Sequence, residues 1–204
     1  MLKKYNIWVF LAVVLLTPMA VFALVKWYER AYTPLPLMGP EGHTIADFSL
    51  TNQHGGQTTQ KDWNDKIVVA DFFFTHCPVV CPKMTRSLKE VQRLYINDKE
   101  LLITSFTVDP ERDSAGQLAA YAKKMDIDKN WLLLTGNKKE LYRLARKSFL
   151  ITATDGDGGE NDFIHSELLI LIDKQRRIRG YYNGTVQAEV EELMNDIARL
   201  KRER

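Results

Sequence analysis

Little in this chain is one-sided. Its 28 basic residues face 26 acidic ones, for a formal net charge of +2. No field of one sign therefore argues for a nucleic acid or another polyanion as partner. No internal repeat and no long low-complexity tract is present, so 204 residues read as one ordinary domain plus an extension. Cysteine is scarce: there are two, Cys77 and Cys81. Charge is absent altogether between Tyr5 and Val25. What is plentiful is apolar side chain, at 45%, enough to bury a core. The basic end Arg199-Leu200-Lys201-Arg202-Glu203-Arg204 reads as a solvated helix end.

The uncharged run supplies about the 20 residues that a helix needs to cross roughly 30 Å of hydrocarbon. Pro18 within it is tolerated in a membrane helix. Trp8 near one end and Trp27 and Tyr28 at the other stand where amphipathic rings favour the interface. A signal peptide cleaved after Val21-Phe22-Ala23 is the rival reading, but its apolar region would be shorter, so residues 1–25 are taken as an uncleaved transmembrane anchor. Lys3 and Lys4 against Lys26 and Arg30 give a slight bias toward a cytoplasmic N-terminus. Either reading puts the domain on the extracytoplasmic, periplasmic-type side of a cell membrane. There, two cysteines are either paired or protected by a metal.

Residues 26–46, with Pro34, Pro36, Pro40, Gly39 and Gly42, read as a tether that holds the domain off the bilayer. The domain is expected over 47–204. Residues 47–57 suggest a small N-terminal hairpin turning at Gly55-Gly56. Beyond it, strands and helices alternate: strand 67–74, helix 83–96, strand 101–108, a helix from the Ser114 cap through Met125, strand 131–134, and a helix from the Asn137 cap to about Ser148. Strands 168–173 and 178–182 pair around Lys174-Gln175, and a last amphipathic helix follows Thr185 as N-cap. This βαβ unit followed by an antiparallel pair and a helix is an α/β, thioredoxin-like pattern with an N-terminal hairpin extension. Fold alone does not settle function.

Both cysteines sit where the first long strand hands over to a helix, in Thr75-His76-Cys77-Pro78-Val79-Val80-Cys81-Pro82. Four residues apart, they are one helical turn apart and can point the same way. The helix N-terminus lowers thiol pKa and favours thiolate, the form that attacks and coordinates. A structural disulfide would close only a tiny loop and stabilise little. Two thiolates leave a metal ion under-coordinated, so a third ligand is expected from elsewhere in the fold. His43 lies in the tether and His54 in a Gly-rich turn, and both read as solvated. His76 adjoins Cys77, where a neighbour usually points away. His165 stands where the loop 152–164 enters a strand, at the junction that in redox thioredoxins carries a cis-proline, and here 161–165 has no proline. Two sulfurs and an imidazole with an open side suit copper, thiolates holding Cu(I) and imidazole admitting Cu(II). Zinc is the competitor, but would want a fourth protein ligand in a closed site.

Three ordered motifs, the Thr75–Pro82 stretch, Val108-Asp109-Pro110-Glu111-Arg112-Asp113 and His165-Ser166, together resemble the Sco/SenC family of cytochrome oxidase assembly proteins. Thr135-Gly136 and the opening Asp47-Phe48-Ser49-Leu50-Thr51-Asn52-Gln53 fit the same pattern. The resemblance covers 47 to about 200. It implies a membrane-tethered copper metallochaperone with Cys77, Cys81 and His165 as ligands. Its expected partner is the CuA-bearing subunit of cytochrome c oxidase, or another copper chaperone. It also implies an alternative, a thiol-disulfide oxidoreductase using Cys77 as nucleophile and Cys81 as resolving thiol, and a copper or redox sensor would use the same residues. The chain departs from the family at Val79 and Ile164, where acidic residues are common; neither position supplies a ligand. The loop 154–162 is rich in carboxylates but lacks the length and terminal Glu of an EF-hand, and reads as a flap over the site. Asp109-Pro110 reads equally as an ordinary turn or as support for the site.

Overall fold

The computed structural model describes residues 4–151, 164 and 166–203. They form two units, 1–34 and 35–204. The first is the helix α1, Lys4–Tyr32. Its stretch Ile7–Lys26 has a mean hydropathy of 2.6, and none of its residues is buried. Pro18 lies inside the helix, and the Thr17 hydroxyl donates to the Val13 carbonyl. A helix this apolar has the length and composition of a membrane span.

The second unit is a seven-stranded mixed sheet covered on both faces. In chain order it comprises β1 (Ser49–Asn52), β2 (Gln57–Thr59), a 3₁₀ turn (Gln60–Trp63), β3 (Ile67–Phe73), α2 (Val80–Leu94), β4 (Leu101–Thr107) and α3 (Ala115–Lys124). Then follow β5 (Trp131–Thr135), α4 (Lys138–Arg143) continued by a π-helical turn (Leu144–Ser148), β6 (Leu168–Ile172), β7 (Ile178–Asn183) and α5 (Gln187–Leu200). The strand order is β2-β1-β5-β4-β3-β6-β7. β3, β4 and β5 run parallel, whereas β6 and β7 run antiparallel on one side and β1 on the other. Every residue of β3 is buried because both faces are covered, which is why the strand reads as a continuous run rather than an alternation.

Alternation still sorts its side chains. Val69 and Phe73 join Met84, Leu88 and Val91 of α2, Leu118 of α3 and Val190, Leu193 and Ile197 of α5 in one core. Val68, Ala70 and Phe72 face the other, with Trp63, Phe106, Leu141, Tyr142 and Phe149. The second core is built on ring contacts: Phe72 stacks on Phe106 at 5.2 Å, and Phe149 meets Phe106 edge-on at 5.1 Å. Gly136 closes β5 where Leu50 fills the space a side chain would need, a Cβ there standing 2.5 Å from Leu50.

The observed elements follow the expected order, with instructive differences. α2 begins at Val80 rather than Lys83, because Pro82 falls in its first turn, where a missing N–H costs nothing. The hairpin β1–β2 is not a free extension: β1 also pairs with β5. Gln53 lengthens that seam by donating to the Trp131 carbonyl and accepting from the Leu133 N–H, both at 2.9 Å. Ser114 caps α3 as expected, but Gln117 reaches to the Thr75 hydroxyl instead of closing a capping box. α5 starts from Val186 without a side-chain cap; Thr185 is held by Asn183 instead.

The stretch 26–46 differs most from a free tether. α1 runs through its first part to Tyr32, and from Leu35 onward the chain packs onto the domain. Leu35 and Ile45 are buried. Met38 and Ile45 donate backbone hydrogen bonds to Ile178 and Arg176 at the start of β7. Buried Arg179 donates to the carbonyls of Leu35 and Pro36, to Asp173 and to Glu203. The prolines fit here because the segment forms no helix or strand of its own: Pro36 offers its carbonyl to Arg179, and Pro40 opens a turn that the His43 N–H closes.

Candidate metal centre

In a sheet of this kind the crevice outside the carboxyl ends of the parallel strands is where chemistry collects. Here it holds both cysteines. β3 ends at Phe73, the chain turns with the Cys77 N–H donating to the Phe74 carbonyl, and α2 begins at Val80. Its N-cap residue, Val79, has no side chain able to cap. The Cys77 sulfur takes that place, accepting the Cys81 N–H at 3.2 Å. A helix start leaves orphan N–H groups, and here a sulfur meets one of them.

The two thiols are free, Cys77 half-buried and Cys81 buried, and their environments push them apart. Partial burial raises the Cys77 pKa, but the N–H and thiol of Cys81 and the N–H groups of Val79 and Val80 outweigh it and hold Cys77 below the ordinary thiol range. Burial pushes Cys81 well above that range, helped by the Cys77 sulfur and by Asp71 and opposed by the Phe74 N–H. One thiol is thus partly exposed and acidic, and its partner is buried and reluctant to ionise.

Asp71 went unremarked in the apolar run. It is 3% exposed and accepts a hydrogen bond from Ser105, whose oxygen in turn accepts from the Trp131 indole at 2.8 Å. Burial outweighs that bond and raises its carboxyl to about 7. The signal for it lay in the sequence: an acid inside a strand buried on both faces is an anomaly in itself.

The Asp109–Asp113 motif also has a defined place. Asp113 is fully buried and accepts from the Thr75 N–H at 3.1 Å, the Thr75 hydroxyl at 2.5 Å and the Thr107 hydroxyl at 2.6 Å. The turn opened by Asp109 therefore pins the residues just before Cys77, and the last aspartate of the motif does the pinning. His76 follows Thr75, its Nδ1 3.0 Å from the Thr75 hydroxyl and 4.0 Å from Asp113. His54 is exposed. His43 is not free in solvent as expected: its Nε2 lies 2.7 Å from the Ser148 carbonyl.

A cavity of about 480 Å³ opens at this pole, lined by Phe72, Phe74, Cys77 through Cys81, Val108, Ile164, Ser166 and Glu167. His165 and the expected flap 154–162 lie outside the described residues. The residues on either side of His165 line the cavity with both cysteines. Among the described residues, no group of three or more His, Cys, Asp or Glu side chains gathers as a metal site.

Fold and site together define a thioredoxin-like domain that carries a reduced CxxxC pair at its strand–helix junction. The family model SCO1/SenC matches residues 38–202, and the chain belongs to that family. It is 29% identical over 161 residues to the SCO1 protein homolog of Bacillus subtilis (strain 168), covering 78% of this chain and 83% of the relative. It is 34% identical over 145 residues to the mitochondrial SCO2 homolog of Danio rerio, spanning 67% of this chain but only half of that protein.

Among solved structures it resembles a SCO1/SenC family lipoprotein from Bacillus anthracis str. Ames, with a TM-score of 0.70, 31% identity and coverage of 82% and 100% of the two chains. BsSco, described as having a disulfide switch and as a member of the Sco family of cytochrome c oxidase assembly proteins, gives 0.68, 26%, 82% and 99%. Bradyrhizobium japonicum ScoI, solved with copper bound, gives 0.63, 28%, 77% and 99%.

Proposed function

We propose that this protein is a membrane-anchored copper metallochaperone that holds copper through Cys77, Cys81 and His165 and delivers it to the CuA centre of a cytochrome c oxidase. α1 anchors it, and the domain works on the extracytoplasmic side. The observation that carries the reading is the shared cavity: both free thiols line it, and so do the two residues flanking His165. Copper is the metal bound in the Bradyrhizobium relative, and oxidase assembly is the work ascribed to BsSco.

The donor set fits this cargo. Two soft sulfurs favour Cu(I), and an imidazole extends the site to Cu(II). Uptake of Cu(I) by two thiols releases two protons and leaves a complex of net charge −1 with a neutral imidazole. Three protein ligands in an open crevice allow an acceptor's ligands to approach before the donor's leave.

The thiol asymmetry favours one second reading, a thiol-disulfide reductase. Cys77, acidic and accessible, attacks a partner disulfide as thiolate and forms a mixed disulfide, releasing one partner thiolate. Cys81 then attacks the Cys77 sulfur, releasing the second partner thiol and leaving a Cys77–Cys81 disulfide. His165→Ala separates the two readings. A copper carrier loses most Cu(II) affinity in that variant while keeping its dithiol chemistry, and loses copper binding in either Cys→Ser variant. Copper affinity indifferent to His165→Ala and to both serine variants would sink the carrier reading.

A further inference from the structure

Copper held by Cys77, Cys81 and His165 draws on two separate elements, the start of α2 and the entry to β6, so their spacing needs a strut. The ladder of β6 with β3 covers residues 170–172. At its entry β6 pairs with β7, Leu168 opposite Asn183 and Leu169 opposite Tyr182. One more rung continues that ladder toward His165: the Gly184 N–H donates to the Glu167 carbonyl at 2.7 Å.

The turn 183–185, between β7 and α5, grips the Glu167 side chain as well. Asn183 Nδ2 donates to Glu167 Oε2 at 3.1 Å, and the Thr185 hydroxyl lies 3.3 Å from the same oxygen. The turn is braced from within, because Asn183 Oδ1 accepts the Thr185 N–H at 2.8 Å, an asparagine side chain closing its own turn. Its other side rests on α2. The Ser87 hydroxyl donates to the Gly184 carbonyl at 2.8 Å. Gly184 is buried, and a Cβ there would stand 2.9 Å from Leu169 Cγ and 3.2 Å from Met84 Cγ. Met84 follows Cys81 by less than one helical turn, and Leu169 follows Glu167 by two residues. One glycine thus bonds β6 through its N–H and α2 through its carbonyl, with no room for a side chain between them. In a close-packed interior an added group at such a point moves its neighbours.

We propose that the turn 183–185 is a positioning element of the copper site, setting the spacing between the thiols at the start of α2 and the His165 imidazole. Gly184 sets the thickness of the strut, and Glu167 fastens the entry of β6 to it. The proposal rests on the reading of His165 as third ligand.

The test uses the full chain in detergent, titrated with Cu(II) under anaerobic conditions, in double-mutant cycles with His165→Ala. Gly184→Ala pushes α2 and β6 apart. Glu167→Ala unfastens β6 from the turn, and Glu167→Gln keeps an oxygen that can accept from Asn183 and Thr185. Expected is that Gly184→Ala and Glu167→Ala each weaken Cu(II) binding about ten-fold or more and lose the imidazole nitrogen coupling in pulsed EPR. Glu167→Gln should restore both, and in the His165→Ala background neither loss should recur. Glu167 is exposed, so its variants carry the test even if Gly184→Ala fails to fold. Parental affinity and coupling in Glu167→Ala overturn the strut. So does a Glu167→Gln no better than Glu167→Ala, which would assign the effect to charge. A loss equally large without His165 marks general loosening and overturns it too. Parental Cu(II) affinity and coupling in His165→Ala itself would overturn the ligand reading, a failure distinct from one in which His165→Ala weakens binding and the strut variants do not.

Discussion

Asp71 is a side chain that the core holds at a cost. Its carboxyl sits at about 7 when folded against an ordinary value of 3.8. The folded state therefore keeps a proton that the unfolded chain has already lost between those values. Stability referred to the protonated acid is complete below about pH 4 and is lost as pH rises through 7, a penalty on the order of 4 kcal/mol. Asp71→Asn keeps an acceptor for Ser105 and removes the titration. Urea unfolding from pH 4 to 8 should show variant and parent alike at the acid end, with the variant gaining up to the neutral range and level above it. A gap independent of pH would contradict the burial argument. The cysteine pair and its place were legible in the sequence because CxxxC chemistry is local and two prolines mark the helix start. The partners of Asp71 and Asp113 were not, because the buried hydroxyls that meet them come from other strands and turns.

At the scale of elements, the segment before β1 carries the largest lesson. Prolines and glycines break regular structure, and regular structure is all that composition reports; an irregular strap that docks by its backbone leaves the same trace as a free linker. Burial of Leu35 and Ile45 is worth about 1.5–3 kcal/mol each, so a domain beginning at residue 35 should outlast one beginning at 47 by several kcal/mol in urea. Equal midpoints would mean that the strap is dispensable. Arg179 is its clasp. Arg179→Ala leaves Asp173 and Glu203 near an emptied site and should cost about 3–5 kcal/mol, whereas a loss under 1 kcal/mol would show the pair to be solvated. The strand and helix order was legible because β3 and β5 stand out as short apolar runs and α2 between them carries a helical period. The pairing of β1 with β5 was not, since it is made between residues some 80 positions apart.

Across the whole domain, the parallel strands give the molecule two unlike ends. Their carboxyl ends meet the start of α2 and gather the thiols, and their amino ends gather the strap and the end of α5. The claim on which the functional reading depends is the ligand set, and X-ray absorption at the copper edge reads it most directly, using anaerobically loaded 35–204 and its His165→Ala variant. Expected is one copper per chain with two sulfur neighbours and one nitrogen, the nitrogen replaced or lost in the variant. A first shell without sulfur, or one unchanged by His165→Ala, would contradict it.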